Sequence, residues 1–253
     1  MDRTFAAAPI DDIQLEREAR PWVPSLQGHV ADGELLRRLT RERDADLAAM
    51  VFYQSILASP RHAEFIAAVD SQPIPESPRA SNIKLFVVPA FLYREFPTLG
   101  GDGAHILRVA HALGMEAELV PTSSTGSVRE NAEVLRRALK ACDKEDIWLL
   151  SLSKGGAEVR LLLQEQADAI PLTRITHWFN ISGLANGSQL VDSMTQSRLR
   201  RVRLGAMCLA TGTRLGVLQE LRTDHPLWRT PFTVPAGISI VNIMGVPLSS
   251  HVE

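Results

Sequence analysis

From Ile83 onward, short and continuously apolar runs alternate with longer amphipathic ones, and this rhythm limits the possible folds more than any other feature of the chain. IKLFVVP (83–89), EAELVP (116–121), IWLLS (147–151), ITHWFNIS (175–182) and ISIVNIM (238–244) have the length and texture of strands. GAHILRVAHALG (103–114), SVRENAEVLRRALKAC (127–142) and KGGAEVRLLLQEQ (154–166) read as helices between them. Gly114 suits a helix end, and Ser127 with Glu130 has the S-x-x-E spacing of a capping box. Strands that are apolar on both faces and joined by helices predict an α/β fold. Its sheet is mostly parallel, with helices on both faces. In such sheets, sites lie beyond the carboxyl ends of the strands.

Residues 1–80 have a different texture. They read as a helical N-terminal extension preceding a sheet domain over 81–253. Asp32 is placed to cap a helix carrying Leu36, Leu39, Leu47, Met50 and Val51, which Pro60 ends; a second short helix runs to about Val69. SQPIPESPRASN (71–82) reads as a linker. Residues 187–236, between the last two strands, read as a mostly helical cap insertion. Met194, Leu199, Met207, Leu209, Leu215, Leu218 and Trp228 are its candidate cavity-lining residues.

The formal net charge of −2 gives no support to nucleic-acid or membrane-surface binding. The cluster Arg198, Arg200, Arg201 and Arg203 reads as a solvated helix face. Cys142 and Cys208 are far apart and show no zinc-ligand spacing. No metal or cofactor is expected, and the thiols are expected to be reduced in a cytoplasmic protein. The N-terminus lacks the apolar core of a signal peptide, and no run approaches the ~20 apolar residues of a membrane span.

The turn Ser151-Leu152-Ser153-Lys154-Gly155 carries the chemistry. A strand enters it and a helix leaves with almost no loop between, so a side chain at the apex, Ser153, projects beyond the sheet. Small residues two before (Ser151) and two after (Gly155) let strand and helix close up. The following helix N-terminus aims N–H groups and a positive dipole end at developing negative charge. This is the nucleophile elbow G-x-S-x-G, with serine for the first glycine.

On these residues the chain resembles the α/β-hydrolase fold family over about 83–251. The resemblance implies a serine hydrolase that cleaves a carboxylic ester or thioester of a small acyl substrate through an acyl-enzyme on Ser153. It also implies an oxyanion hole built from the N–H of Lys154 and an N–H of the loop after the first strand, Ala90 or Phe91. One such donor contributes ~3 kcal/mol to the transition state. The family's HG-type loop is Pro-Ala-Phe here.

The family order of serine, acid, histidine leaves His251 as the candidate base. It stands with Glu253 in the stretch after the last strand. Asp192 reads as a solvated or capping residue, and His177, inside a strand, as a buried one. His105 and His111 are spaced i, i+6 on a helix, which is not a ligand pair. Two accounts remain for the unplaced acid and base: a chain that ends before reaching them, which the abrupt stop after a core strand favours, or a degenerate site. The alternative function is a hydrolase-fold protein that binds without catalysis. LGGDGAH (99–105) matches neither nucleotide-loop pattern, G-x-G-x-x-G or G-x-x-x-x-G-K-[ST].

Overall fold

The computed structural model describes residues 10–73, 82–165 and 170–251. Most of the expected linker over 71–82 lies outside the described residues, as does Glu253. The chain divides into two compact units, Met1–Ile74 with Gly245–Glu253, and Pro75–Met244. The sequence boundary had assigned 245–253 to the sheet; these residues belong with the helices.

The helical unit contains α1 (Ile10–Ala19), a 3-10 segment (Arg20–Leu26), α2 (Gly33–Glu42), α3 (Ala45–Ala58) and α4 (Pro60–Asp70). The one helix expected after Asp32 is two. Asp32 caps α2 by accepting from the N–H groups of Glu34 (3.0 Å) and Leu35 (2.8 Å). Asp44 then caps α3 by accepting from Leu47 N–H (2.7 Å). A carboxylate that bonds the backbone this way competes with helix continuation, so the chain restarts at Asp44. Ala19, Leu39, Leu47 and Val51 form the core of this unit with Leu248 of the tail. Ser249 donates from both its N–H (2.9 Å) and its Oγ (3.0 Å) to Asp46 Oδ1.

The sheet unit contains β1 (Ile83–Val88), α5 (Ala104–Ala112), β2 (Glu116–Leu119), α6 (Val128–Ala141), β3 (Asp146–Leu152), α7 (Lys154–Glu165), β4 (Ile175–Ile181), α8 (Gln189–Gln196), α9 (Arg198–Ala210), α10 (Leu215–Gln219) and β5 (Ser239–Ile243). The five strands run parallel in the order β2-β1-β3-β4-β5. Each stands where the apolar runs place it. The capping box at α6 is complete: Ser127 Oγ accepts from Glu130 N–H (3.1 Å), and Glu130 accepts from Ser127 N–H (2.8 Å).

Alternate residues separate the two faces of the sheet. Phe86, Val88, Ile147, Leu149 and Trp178 pack with Val128, Ala132, Leu135 and Leu139 of α6 and with Ala157, Leu161 and Leu162 of α7. Leu85, Val87 and Leu150 pack on the other face with Ala110 of α5. His177, expected buried, is half-buried on that second face, where it meets the rings of Trp148 (4.8 Å) and Phe179 (6.1 Å). The edge strands are less buried than a both-faces reading predicts, because each has one neighbour: β2 alternates between exposed and half-buried, and β5 is largely exposed.

At the β1–β2 edge, Lys84 Nζ donates to Glu116 (2.8 Å) and Glu118 (2.7 Å). Its hydrogen bond, aided by Lys144, holds the Glu116 carboxyl down to about 2. A depressed carboxyl contributes stability above its unfolded pKa and loses it as pH falls through the folded one. Urea midpoints should therefore fall between about pH 4.5 and 2, and Glu116→Gln should flatten that fall. Superimposable midpoint–pH curves for the two proteins would show that the cluster contributes nothing.

Candidate active site

One residue separates β3 from α7, and it is Ser153. Its φ is +48°, in the left-handed region that a serine adopts at a cost and only where its surroundings impose it. Here they do. Ser153 N–H donates to Ile181 O (3.1 Å), while its carbonyl accepts from Gly156 N–H (3.0 Å) and Leu184 N–H (2.9 Å). Leu92 (φ +57°) and Ser182 (φ +47°) are also left-handed, so the ends of β1, β3 and β4 share this tight geometry.

The glycines after the serine make the turn possible. A Cβ on Gly155 would stand 2.6 Å from the carbonyl oxygen of Val88 and 3.0 Å from that of Pro89. One on Gly156 would stand 2.9 Å from Gly183 Cα. The helix start is thus pressed against the carboxyl ends of β1 and β4.

A polar chain supports the apex from below. Trp178 Nε1–H donates to Ser151 Oγ (2.8 Å), Ser151 Oγ–H to Asn180 Oδ1 (2.8 Å), and Asn180 Nδ2–H to Asn242 Oδ1 (2.9 Å). Ser151, read from sequence as a small spacer, is also the fully buried centre of this chain.

Ser153, Phe91 and Leu92 line one cavity of about 250 Å³ with Leu184, Val191, Met194, Leu204 and Leu218. Of the expected cap residues, Met194 and Leu218 reach it, whereas Leu199 and Leu209 are exposed and Trp228 is buried elsewhere. Met207's side chain is outside the described set. Trp228 stacks on Arg160 (5.2 Å), and so does Phe232 (5.4 Å). Arg160 donates to Ala185 O (2.6 Å), Asn186 Oδ1 and Thr230 O (2.8 Å), so one buried guanidinium ties together the two ends of the cap. Nothing in the helix pattern singled it out.

The two oxyanion candidates of the β1 loop are distinguished by their backbone bonds. Ala90 N–H donates to Gly101 O (2.8 Å). Gly101 belongs to the glycine-rich 99–105 segment, which thereby braces the loop. Phe91 N–H and Lys154 N–H have no partner among the described residues.

The Lys154 side chain is fully buried and ion-paired with Glu158, one turn along α7. Asn131 Nδ2–H adds a bond to the same carboxylate oxygen (2.7 Å). Burial pushes the Glu158 carboxyl up, against the opposing pull of Lys154.

His251 is a member of the helical unit. Its Nε2 lies 2.9 Å from Asp12 Oδ2, and its Nδ1 faces Leu248 N–H at 3.4 Å. Both ring nitrogens therefore have partners inside that unit. Asp192 accepts from Thr223 N–H (3.1 Å) and Thr223 Oγ1–H (2.6 Å) and ties a loop. His105 contacts Arg108 (3.3 Å) and His111 the Ala117 carbonyl (3.0 Å), so neither approaches a metal-ligand pair. Among the described residues lining the Ser153 cavity, no side chain is titratable near neutral pH.

No protein-family model matches the chain, and no curated protein does. Solved structures do match. The metagenomic carboxyl esterase MGS0156 is 18% identical, with a TM-score of 0.51 over 68% of this chain and 52% of that one. The lipase BlEst2 of Bacillus licheniformis in its mature form is 17% identical, with a TM-score of 0.45 over 68% of each chain. The chain thus spans about half the length of the esterase it matches. With a parallel sheet in this order and a left-handed serine between β3 and α7, the likeness means that this chain has the α/β-hydrolase fold.

Proposed function

We propose that the protein is a serine hydrolase that cleaves a carboxylic ester or thioester with a short acyl group. The observation that carries this reading is the left-handed Ser153 at the edge of an apolar cavity, with N–H groups at Phe91 and Lys154 that have no partner among the described residues. Ser153 Oγ would attack the acyl carbonyl carbon as its proton passes to a general base. The N–H groups of Phe91 and Lys154 would hold the oxyanion, together with the positive end of α7. Collapse of the intermediate would release the alcohol or thiol, protonated by the same base, and water would then free the acid. A cavity of about 250 Å³ sits at the small end of ligand sites and suits a short chain.

One observation favours a second reading, a hydrolase-fold module that binds an acyl ligand without cleaving it: among the described residues, no titratable side chain lines the cavity. A fluorophosphonate probe distinguishes the two. On the hydrolase reading, the wild type is labelled and Ser153→Ala loses labelling by about 10³-fold or more. Equal labelling of the two proteins would remove Ser153 as nucleophile. No labelling, together with a thermal shift on adding butyrate, would establish the binding module.

A further inference from the structure

The helix α9 has two apolar faces, and the fold uses one of them. Leu204 and Cys208 point inward and are buried, and Leu204 lines the Ser153 cavity. On the opposite side Leu199, Val202, Ala206 and Leu209 recur at intervals of three and four, a continuous stripe along the helix. Leu199 is 64% exposed, Val202 69% and Leu209 85%. Leu190 of α8, which also borders the cavity, is 69% exposed. Single exposed leucines are ordinary, but an aligned stripe of this kind marks a contact surface.

The charge around the stripe indicates what covers it. Between Asp192 and Glu220 the sequence holds five arginines, Arg198, Arg200, Arg201, Arg203 and Arg214, and no acidic residue or lysine; of these, Arg214 is paired with Glu130 (3.5 Å). Arg200 and Arg201 are exposed. Arg200 donates to Ser193 rather than to a carboxylate. This local excess is hidden in a chain whose net charge is −2. Two copies meeting through this face would bring like charges together. An apolar stripe with cationic flanks instead complements a surface that offers acyl chains beneath negative headgroups. At 13 residues α9 is too short to cross a bilayer, which takes ~20, so the contact lies in the plane of the interface.

We propose that the outward face of α9 docks the protein on an anionic lipid membrane, through Leu199, Val202 and Leu209 with flanking arginines. The same helix would then carry the membrane contact on one side and a wall of the Ser153 cavity on the other.

Co-sedimentation of the full chain with vesicles tests this. One set is phosphatidylcholine alone, and the other is equal parts phosphatidylcholine and phosphatidylglycerol. The wild type should bind the anionic vesicles about tenfold or more tighter than the neutral ones. Leu199→Asp with Leu209→Asp should cut that binding by about tenfold or more, with unchanged circular dichroism and melting temperature. Arg200→Glu with Arg201→Glu should abolish the preference for anionic lipid. Ser153→Ala should bind like the wild type, so failure of the hydrolase reading leaves this test intact. No binding by the wild type, or equal binding by the wild type and the leucine variant, would overturn the proposal. So would a wild-type dimer that the leucine variant dissociates, because a second copy would then be the occupant.

Discussion

Replacing Lys154 by methionine is expected to destabilise the sheet unit by about 3–5 kcal/mol, a fall in melting temperature of roughly 6–20 °C. Methionine keeps most of the volume and leaves the backbone N–H in place. What it removes is the cation beside Glu158, whose side chain is 1% exposed like that of Lys154. The carboxylate would keep its bond from Asn131, while its Oε2 has no partner among the described residues even in the wild type. Burial already pushes Glu158 toward the neutral acid, and loss of the cation pushes it further. A raised carboxyl destabilises the fold fully above its folded pKa, and the penalty fades as pH falls through that value toward the unfolded one. The variant's deficit should therefore shrink in acid. Adding Glu158→Leu should restore most of the lost stability, since an apolar pair of similar volume replaces an ion pair at little cost. Urea denaturation of the wild type, both single variants and the double variant completes the cycle. A double variant as unstable as Lys154→Met would trace the loss to packing rather than to an orphaned charge.

Gly155→Ala is the second change with a large expected effect. The new methyl would press on two backbone carbonyls, those of Val88 and Pro89, and on Val88 Cγ1 at 3.1 Å. Carbonyls cannot rotate away as a side chain can. Either α7 lifts off the sheet or the end of β1 moves, at about 2–3 kcal/mol. Either shift changes the spacing between Ser153 and Phe91, and displacements near 1 Å cost reactions on the order of 10²-fold. The variant should show both a lower melting temperature and slower fluorophosphonate labelling. Gly205→Ala in α9 is the matched control. Among the described residues nothing lies within 4 Å of its added methyl, so it should be neutral or stabilise by up to ~1 kcal/mol. If Gly155→Ala behaves like that control, the close approach at the elbow has no energetic weight.

The features legible in the sequence are those set by neighbours along the chain. Period and apolarity located all five strands, the S-x-x-E spacing located the cap of α6, and the crowded small residues located Ser153 between strand and helix. What the sequence concealed depends on partners that folding brings from elsewhere. The many apolar residues of 154–166 mark a buried helix, but not which partners the charged heads of Lys154 and Arg160 find there. They are buried because Asn131 and Glu158 await the one, and Asn186, Thr230, Trp228 and Phe232 the other. His251 looked like a free base after the last strand, but its partner, Asp12, lies at the far end of the chain. Ala90 and Phe91 were equivalent until Gly101 claimed one of them. The break between α2 and α3 was legible in principle: Asp44 stands three residues before Leu47, whose N–H it accepts.

The polar chain beneath the elbow also bears on how the sheet finds its alignment. β1, β3 and β4 carry large apolar residues on both faces, so sliding one strand past its neighbour still leaves oil against oil, and hydrophobicity alone is a poor ruler. Ser151, Asn180 and Asn242 are direct neighbours across three strands. A slip of one residue between β3 and β4 would put Ser151 and Asn180 on opposite faces and leave Trp178 Nε1–H without an acceptor, a penalty of about 1–3 kcal/mol for each orphaned group. The three polar residues act as index marks that reject misaligned sheets during folding; β4, which takes part in all three bonds, is indexed most tightly, and it fixes in turn the strand that leads into Ser153.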